Sequence, residues 1–441
     1  MVDAQLVSRA SVIYSVAQMD LLEDLAFRGL IHQQTNPDGL RAHLQSPRAV
    51  YCGFDPTRDS LTIGNLVPIL LLRRFQQAGH RPVVIAGGGT GMIGDPSGKD
   101  AERQFLSLEQ VDENVAGQRL IFERLLDFTG PNAAVILNNA DWLKRVGYLE
   151  MLRDVGKYFS INMMIQKDSV RDRLHNREQG ISYTEFSYML LQAYDFLHLF
   201  DHHGVTLQVC GSDQWGNVVS GIDLIRRKHQ AEAFGLTAPL VTKSDGGKFG
   251  KTETGAVWLD QARTSAYAFY QFWINTPDTD VLKFLKIFTF LDPAEIQRLS
   301  AEHEENPGAR AAHRALADQV TELVHGADGL AQARNATQAL FSGDVASLPR
   351  ATLEELFQSA PTVTFPKSRL DGEGLAAVDF LVEAGVVKSK REAREFLSTG
   401  AISISARKAD AETRVTAAFL LFEEIVLIRR GKKTWHVARF E

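Results

Sequence analysis

An α/β fold built on a parallel sheet, followed by an all-helical domain and a small α+β domain, is predicted by three features of the sequence. Short β-rich apolar runs alternate with amphipathic helical stretches from Ala49 to about Leu240, the pattern of a parallel sheet covered by helices. Apolar residues then recur at helical spacing from about Thr264 to Ser347, with no strand pattern between them. Last, a stretch containing Pro349, Pro361, Pro366 and Gly372 breaks the periodicity before a short terminal piece, which marks a connecting segment and a further small domain.

Taken in order, the strands are expected at Val50 to Phe54, Pro82 to Ala86, Val135 to Leu137 and Val205 to Val209. Ligands of open parallel sheets sit beyond the carboxyl ends of such strands. The helical domain is clearest through Val281 to Leu291 and Ala311 to Val324. The terminal piece reads as a helix around Gly374 to Ala384, a basic helix at Lys390 to Ser398, and short strands from Ala401,. The expected division is 1–240 for the sheet domain, 241–350 for a lysine-bearing loop and helices, 351–366 for a linker and 367–441 for the last domain. With 441 residues and 44% hydrophobic content, two or three cores are expected.

A formal charge of −6 excludes a globally basic nucleic-acid binder, so any RNA contact must use a local patch. Cys52 and Cys210 are the only cysteines, without the spacing of a zinc site or disulfide framework, so no metal site is expected and a reducing cytoplasm fits. The first thirty residues mix charge with apolar positions and no run of about eighteen apolar residues occurs, which predicts neither signal peptide nor membrane span.

Five segments carry polar groups suited to chemistry. YCGFDPTRDSLTIGNLVPILLLRRFQ runs from a strand into a helix opening near Ile63 or Gly64, and a helix N-terminus offers free N–H groups and a favourable dipole to phosphate. There Thr57 and Thr62 could donate to phosphate oxygens and Gly64 would let a nucleoside approach; an ordinary capped βα turn would look the same. VVIAGGGTGMIGDPSGKDAER places glycines after a strand and then Asp95, Lys99 and Arg103, without Walker-loop spacing; the two cations suit a closing polyphosphate loop or a solvated surface. In TEFSYMLLQAYDFLHLF, Tyr188, Gln192 and Asp195 are spaced by four and three, so they share one face of a helix whose other residues are largely apolar. Such a polar stripe needs partners when buried, and a polar ligand would supply them. VTLQVCGSDQWGN is a strand entering a polar turn, and SDGGKFGKTETG is a glycine-rich loop bearing Lys248 and Lys251, mobile charges suited to phosphates though common on any surface.

Together, and in this order, the five segments resemble the bacterial tyrosyl-tRNA synthetases from about Leu30 to the C-terminus. TIGN (Thr62 to Asn65) stands where the class I HIGH signature belongs, and KFGKT (Lys248 to Thr252) stands for the KMSKS signature. The resemblance implies a Rossmann-like catalytic domain and a reaction in which L-tyrosine and ATP, the latter carrying Mg2+, form tyrosyl-adenylate, whose tyrosyl group passes to tRNA(Tyr). Carried over by motif position, Tyr51 and Asp195 hold the phenolic hydroxyl. Asp95, Tyr188 and Gln192 take the α-amino group, Gln214 lies toward the carboxylate, Asp213 binds the ribose, and Asp55 and Gln208 support the pocket. Gly53, Asp55, Thr57, Thr62, Gly64, Asn65, Gln208, Gly211, Asp213, Lys248 and Lys251 contact ATP. Lys248, Lys251, Thr252, Thr57, Thr62, Lys99 and Arg103 assist the transfer. It further implies that the helical domain meets the anticodon arm, that the last domain is a ribosomal-protein-like RNA binder, and that the chain forms a homodimer in the cytoplasm.

Both signature histidines are replaced, by Thr62 and Asn65. Neither substitute carries positive charge, which shifts phosphate stabilisation toward Lys248, Lys251, Lys99 and Arg103. In the last domain Lys388, Lys390, Arg391 and Arg394 precede a turn at Gly400, with Arg429, Arg430, Lys432 and Lys433 beyond, the local basic patch that the net charge conceals. Three alternatives stay open: a tryptophanyl relative, against which Tyr51 with Asp195 argues; a noncatalytic RNA-binding relative; and an adenylate-forming paralogue that passes tyrosine elsewhere.

Overall fold

The computed structural model describes residues 19–97, 106–167, 170–171, 174, 180–244, 246, 249–252, 255–358, 360–431 and 434–441. They form two compact units, one holding the described residues up to Thr264 together with Trp273–Val324, the other Ser265–Phe272 with His325–Glu441. The helical stretch expected from about Thr264 to Ser347 is thus divided between them.

The first unit is built on β1 (Gln33–Gln34), β2 (Ala49–Phe54), β3 (Arg81–Ala86), β4 (Val135–Asn138), β5 (Val205–Gly211) and β6 (Phe234–Ala238), in the spatial order β1-β6-β5-β2-β3-β4. All neighbouring pairs are parallel except β1 with β6. The expected strands occur within one or two residues, whereas β1 and β6 were not anticipated. A two-residue strand has no readable period, and FGLTA carries a glycine that interrupts a strand pattern. That glycine has a packing role, because a Cβ on Gly235 would lie 2.3 Å from Val218 Cγ1 in the helix Trp215–His229. The chain runs outward from β2 through β3 to β4, then returns to place β5 on the other side of β2. The order therefore reverses between β2 and β5, and the crevice beyond their carboxyl ends is where a doubly wound sheet receives its ligand.

Burial explains why the strands read as apolar runs: β3 and β5 are covered on both faces,. The helix Ile63–Gln77 fills one side with Leu66, Ile69, Leu70, Leu71, Leu72 and Phe75, all essentially inaccessible. Helices Tyr183–His203 and Trp215–His229 lie against one another, and Gly221 permits it, since a Cβ there would come 2.9 Å from the Phe196 ring. Helices Asp278–Phe288, Pro293–Glu305 and the first part of Ala311–Ser342 complete this unit; the last is broken at Gly326, where φ is +75°.

The second unit contains a five-stranded sheet in the spatial order Arg407–Lys408, Ile402–Ile404, Ile425–Arg430, Thr434–Phe440 and Thr362–Phe365. Helices Ala377–Glu383 and Lys390–Ser398 bring Phe380, Leu381, Ala393 and Leu397 into one core with Ile402, Ile428 and Phe440. Among the described residues no helix is long and apolar enough to cross a membrane.

Candidate active site

The residues singled out by sequence converge beyond the carboxyl ends of β2 and β5. Tyr51 and Gly53 lie on β2, Asp55 and Thr57 in the turn after it, Gln208 and Gly211 on β5, and Asp213 and Gln214 in the turn that follows. Tyr188, Gln192 and Asp195 come from the helix Tyr183–His203, with Tyr188 and Asp195 buried and Gln192 half-buried. Lys99, Arg103 and Lys248 fall outside the described residues, as do Lys432 and Lys433. Lys251 and Thr252 are described only as backbone, forming β7 (Lys251–Thr252) against β8 (Gly255–Ala256).

One end of the pocket is apolar with two polar groups. Tyr51 is 2% exposed and packs on Phe196, with ring centroids 5.0 Å apart. Its hydroxyl has no hydrogen-bond partner among the described residues. Burial pushes the Tyr51 hydroxyl well above its ordinary pKa, with the nearby Asp195 carboxylate adding to the rise. Asp195 is held rigidly: Asn139 Nδ2 donates to Oδ2 at 2.8 Å and Trp142 Nε1 donates to Oδ1 at 2.7 Å. Each carboxylate oxygen keeps a second lone pair. Trp142 is fixed in turn by stacking on His198, 4.4 Å between centroids.

Deeper under the strand ends lies a run of acidic groups. Tyr188 donates its hydroxyl to Asp55 Oδ2 at 3.2 Å, and Thr90 donates to Asp55 Oδ1 at 2.9 Å. Asp95 accepts from the Ser97 N–H at 2.9 Å and from Gln214 Nε2 at 2.7 Å. Gln214 also donates to Asp213 at 3.0 Å and is itself steadied by Asn217 at 3.0 Å. The glycines after β3 make this convergence possible: a Cβ on Gly87 would lie 2.4 Å from Asp55 Oδ1, and one on Gly88 would lie 2.2 Å from Asn138 Oδ1. Gly211 does the same for Asp213, whose Oδ1 would sit 2.6 Å from an added Cβ. Gln208, 2% exposed on β5 in register with Tyr51, leaves its Oε1 without a partner among the described residues.

Burial, with the charge of Asp55 behind it, raises the Asp95 carboxyl to about 6. Burial likewise raises Asp195 to about 7, against the lowering effect of its bonds from Asn139 and Trp142. Both folded values exceed the unfolded one. Between about pH 4 and 7 the native state therefore binds more protons than the unfolded chain, and the stability these groups contribute falls as pH rises through that window. The unliganded Asp95→Asn variant should accordingly be more stable than the parent at pH 7.5 by roughly 1–3 kcal/mol. Gln214 can turn its amide oxygen toward the new amide. Urea unfolding at pH 7.5 and pH 4 tests this, with the gain shrinking at the lower pH; a loss of stability at pH 7.5 contradicts it.

At the mouth, Thr62 and Asn65 engage one another. Asn65 Oδ1 accepts from the Thr62 N–H and from its hydroxyl, both at 3.0 Å. The replaced signature thus forms a capping box, and Gly64 between them stays exposed at the helix start,. The backbone after the KFGKT segment is tied to this point: Ile63 N–H donates to the Val257 carbonyl at 3.1 Å and Leu259 N–H to the Leu61 carbonyl at 2.8 Å. Phe249 anchors the segment among Trp273, Phe284 and Phe288, with centroids 5.0–6.0 Å away. Gly250, at φ +86°, passes so close that a Cβ would lie 3.1 Å from Ile63 Cγ1.

Thr90, Ser97, Asn139, Trp142 and Asn217 were not singled out from sequence. The run NNADW directly after a strand was the signal for two of them, since polar residues at a strand's carboxyl end face the crevice. In the second unit Lys388, Lys390, Arg391 and Arg394 are exposed, and Lys390 pairs with Asp379 at 2.6 Å. Arg430, counted in the same basic patch, serves the fold instead: it donates to the Val386 carbonyl at 2.7 Å and lies over the Phe396 ring.

A doubly wound sheet with this crevice and a capped helix start at its mouth defines a nucleotide-dependent α/β enzyme. The chain belongs to the class I tRNA synthetases, for the family model "tRNA synthetases class I (W and Y)" matches residues 43–342. The model "Tyrosine--tRNA ligase SYY-like C-terminal domain" matches residues 352–438. The chain is similar to the Tyrosine--tRNA ligase of Geobacillus kaustophilus, 52% identical over 426 residues that cover 96% of this chain and 100% of that protein. It is similar also to that of Staphylococcus carnosus, 49% identical over 96% of this chain and 99% of that protein. Among solved structures, a C-terminally truncated Aspergillus nidulans mitochondrial tyrosyl-tRNA synthetase superimposes with a TM-score of 0.66 at 30% identity, over 74% of this chain and 95% of that one.

Proposed function

We propose that this crevice activates L-tyrosine with ATP and that the chain then transfers the tyrosyl group to tRNA(Tyr). The chain is an aminoacyl-tRNA synthetase using ATP as substrate, and the observation that carries the choice of tyrosine is the pairing of the buried, partnerless Tyr51 hydroxyl with Asp195. A phenol hydroxyl can accept from Tyr51 and donate to Asp195, satisfying both; an indole N–H can only donate, so it leaves the Tyr51 hydroxyl without an acceptor. This disfavours the tryptophanyl alternative.

The ammonium of the substrate finds Asp95, Tyr188 and Gln192. Its positive charge relieves the repulsion between Asp95 and Asp55 that raises the Asp95 carboxyl,. Gln214, bridging Asp95 and Asp213, sits toward the carboxylate, and Asp213 with Gly211 faces the ribose. The carboxylate is already ionised near neutral pH, so in-line attack on the α-phosphorus needs no general base. Pyrophosphate leaves, and Mg2+ bound with ATP would neutralise part of its charge. Thr57, Thr62, Gly64 and Asn65 line the phosphate path with neutral groups. The positive charge there is supplied by Lys248, Lys251, Lys99 and Arg103, with Thr252 beside them.

The helical segment within 241–350 and the domain at 367–441 take the RNA. Support for the latter is the exposed cluster of Lys388, Arg391 and Arg394, to which Lys390 adds its charge once phosphate competes with Asp379. A homodimer is supported by helices Tyr148–Asp154 and Ile161–Met164, which expose Leu149 (80%), Ile161 (60%) and Met163 (50%), apolar side chains that a second copy would cover. Sedimentation at the monomer mass would remove that reading.

The test is exchange between pyrophosphate and ATP. Exchange is expected with tyrosine and not with phenylalanine or tryptophan, followed by charging of bacterial tRNA. Absence of exchange with tyrosine refutes the activation chemistry, and exchange without charging points to a different acceptor.

A further inference from the structure

Away from the crevice, three helices of the first unit bring their ends together around two histidines. His303 lies in the last turn of Pro293–Glu305, His313 in the first turn of Ala311–Ser342, and Asp278 is the first residue of Asp278–Phe288. We propose that Asp278, His303 and His313 form a binding site for a divalent transition-metal ion, zinc by the chemistry of the donors, that ties these three helix ends together.

The geometry supports this in two independent ways. One ligand atom from each residue lies within 4.8 Å of the others. His313 Nε2 and Asp278 Oδ1 are 3.2 Å apart, close to the edge of about 3.3–3.4 Å expected between two donors of a tetrahedral zinc ion bound at about 2.0–2.1 Å. The second observation is the state of the imidazoles. His313 is fully buried and His303 is 8% exposed, yet His303 Nδ1 and both ring nitrogens of His313 lack a hydrogen bond among the described residues. The Thr276 backbone is close to the His313 ring, and the Asp278 carboxylate lies 3.2 Å from its Nε2. Buried ring nitrogens are almost always partnered, and a shared cation would take one nitrogen from each ring.

Two imidazoles and a carboxylate are a borderline donor set suited to zinc and poorly suited to calcium or magnesium. Asp278 is 59% exposed on its side chain, so the ion can enter from solvent and a water can complete the fourth position. The neighbouring cation Arg310 is held by its guanidinium donating to the Ile274 carbonyl. No cysteine spacing marks such a site in the sequence, because its ligands come from three separate helices.

The experiment uses the full, tag-free chain stripped with EDTA, then titrated with zinc chloride and followed by metal analysis after gel filtration, with a parallel cobalt titration read by visible absorption. One ion per chain, a cobalt spectrum of tetrahedral intensity and a rise in Tm are expected. Each of Asp278→Asn, His303→Leu and His313→Gln should weaken binding at least about tenfold. Asp278→Asn is decisive if a histidine variant fails to fold, because Asp278 is exposed. No saturable binding, or binding of equal strength in Asp278→Asn, overturns the proposal.

Discussion

Replacing Asp195 by alanine is expected to lower kcat/KM for tyrosine activation by roughly 10²- to 10⁴-fold, the loss of charge-assisted hydrogen bonding in a dry pocket. Activation of phenylalanine, which makes no such bond, should change far less, so the ratio between the two substrates collapses. The expectation follows from how Asp195 is held. Asn139 and Trp142 occupy one lone pair on each oxygen, fixing the plane of the carboxylate and leaving the remaining lone pairs to the ligand. Because alanine also strands these two donors, Asp195→Asn serves as the companion variant: it keeps one acceptor and the packing while removing the charge. A tyrosine-to-phenylalanine ratio unchanged in both variants, with the fold intact by circular dichroism, would show that Asp195 does not read the phenol.

The same pocket shows what could be read from the chain alone. The polar stripe of Tyr188, Gln192 and Asp195 was visible because helical spacing is local and the surrounding residues are apolar. The strands β2 to β5 were visible for the same reason: strands buried on both faces leave short uninterrupted apolar runs. What joins these pieces is not local. Nothing at Asp195 announces that Trp142 and Asn139, more than fifty residues earlier, will donate to it, because that contact depends on β4 lying two strands from β2. The glycines after β3 are legible in the sequence only as a cluster following an apolar strand. Their neighbours show their role, making room for Asp55 and Asn138, which only the crossing of separate segments reveals.

The departure at the helix start has a similar lesson. Thr62, suited to a phosphate oxygen, and Asn65, suited to a ribose oxygen, stand where the signature histidines belong, yet they spend their side chains on each other,. A cap of this kind fixes the helix end and leaves the backbone of Gly64 exposed at the helix start. The residues keep the shape of the site while surrendering its charge, which sharpens the demand on the lysines.

That demand sets the second large effect. Alanine at Lys251 or Lys248 is expected to slow single-turnover formation of tyrosyl-adenylate by roughly 10²- to 10³-fold, the usual cost of removing one group that stabilises developing charge. The equilibrium affinity for tyrosine, measured without ATP, should move by less than about threefold, because the crevice that holds the amino acid lies under the strand ends. The structure argues for this split through the neighbours of the lysines. Phe249 is wedged among Trp273, Phe284 and Phe288, and Gly250 lies against Ile63 at the helix start. The segment is therefore pinned at Phe249 and Gly250, between the positions of its two lysines and beside the helix start. With no histidine to share the charge, the double variant should lose less than the product of the single losses if both act on one transition state. A full multiplicative loss would instead mean that the two lysines contribute independently, and unchanged activation in both single variants would remove the KFGKT segment from the chemistry.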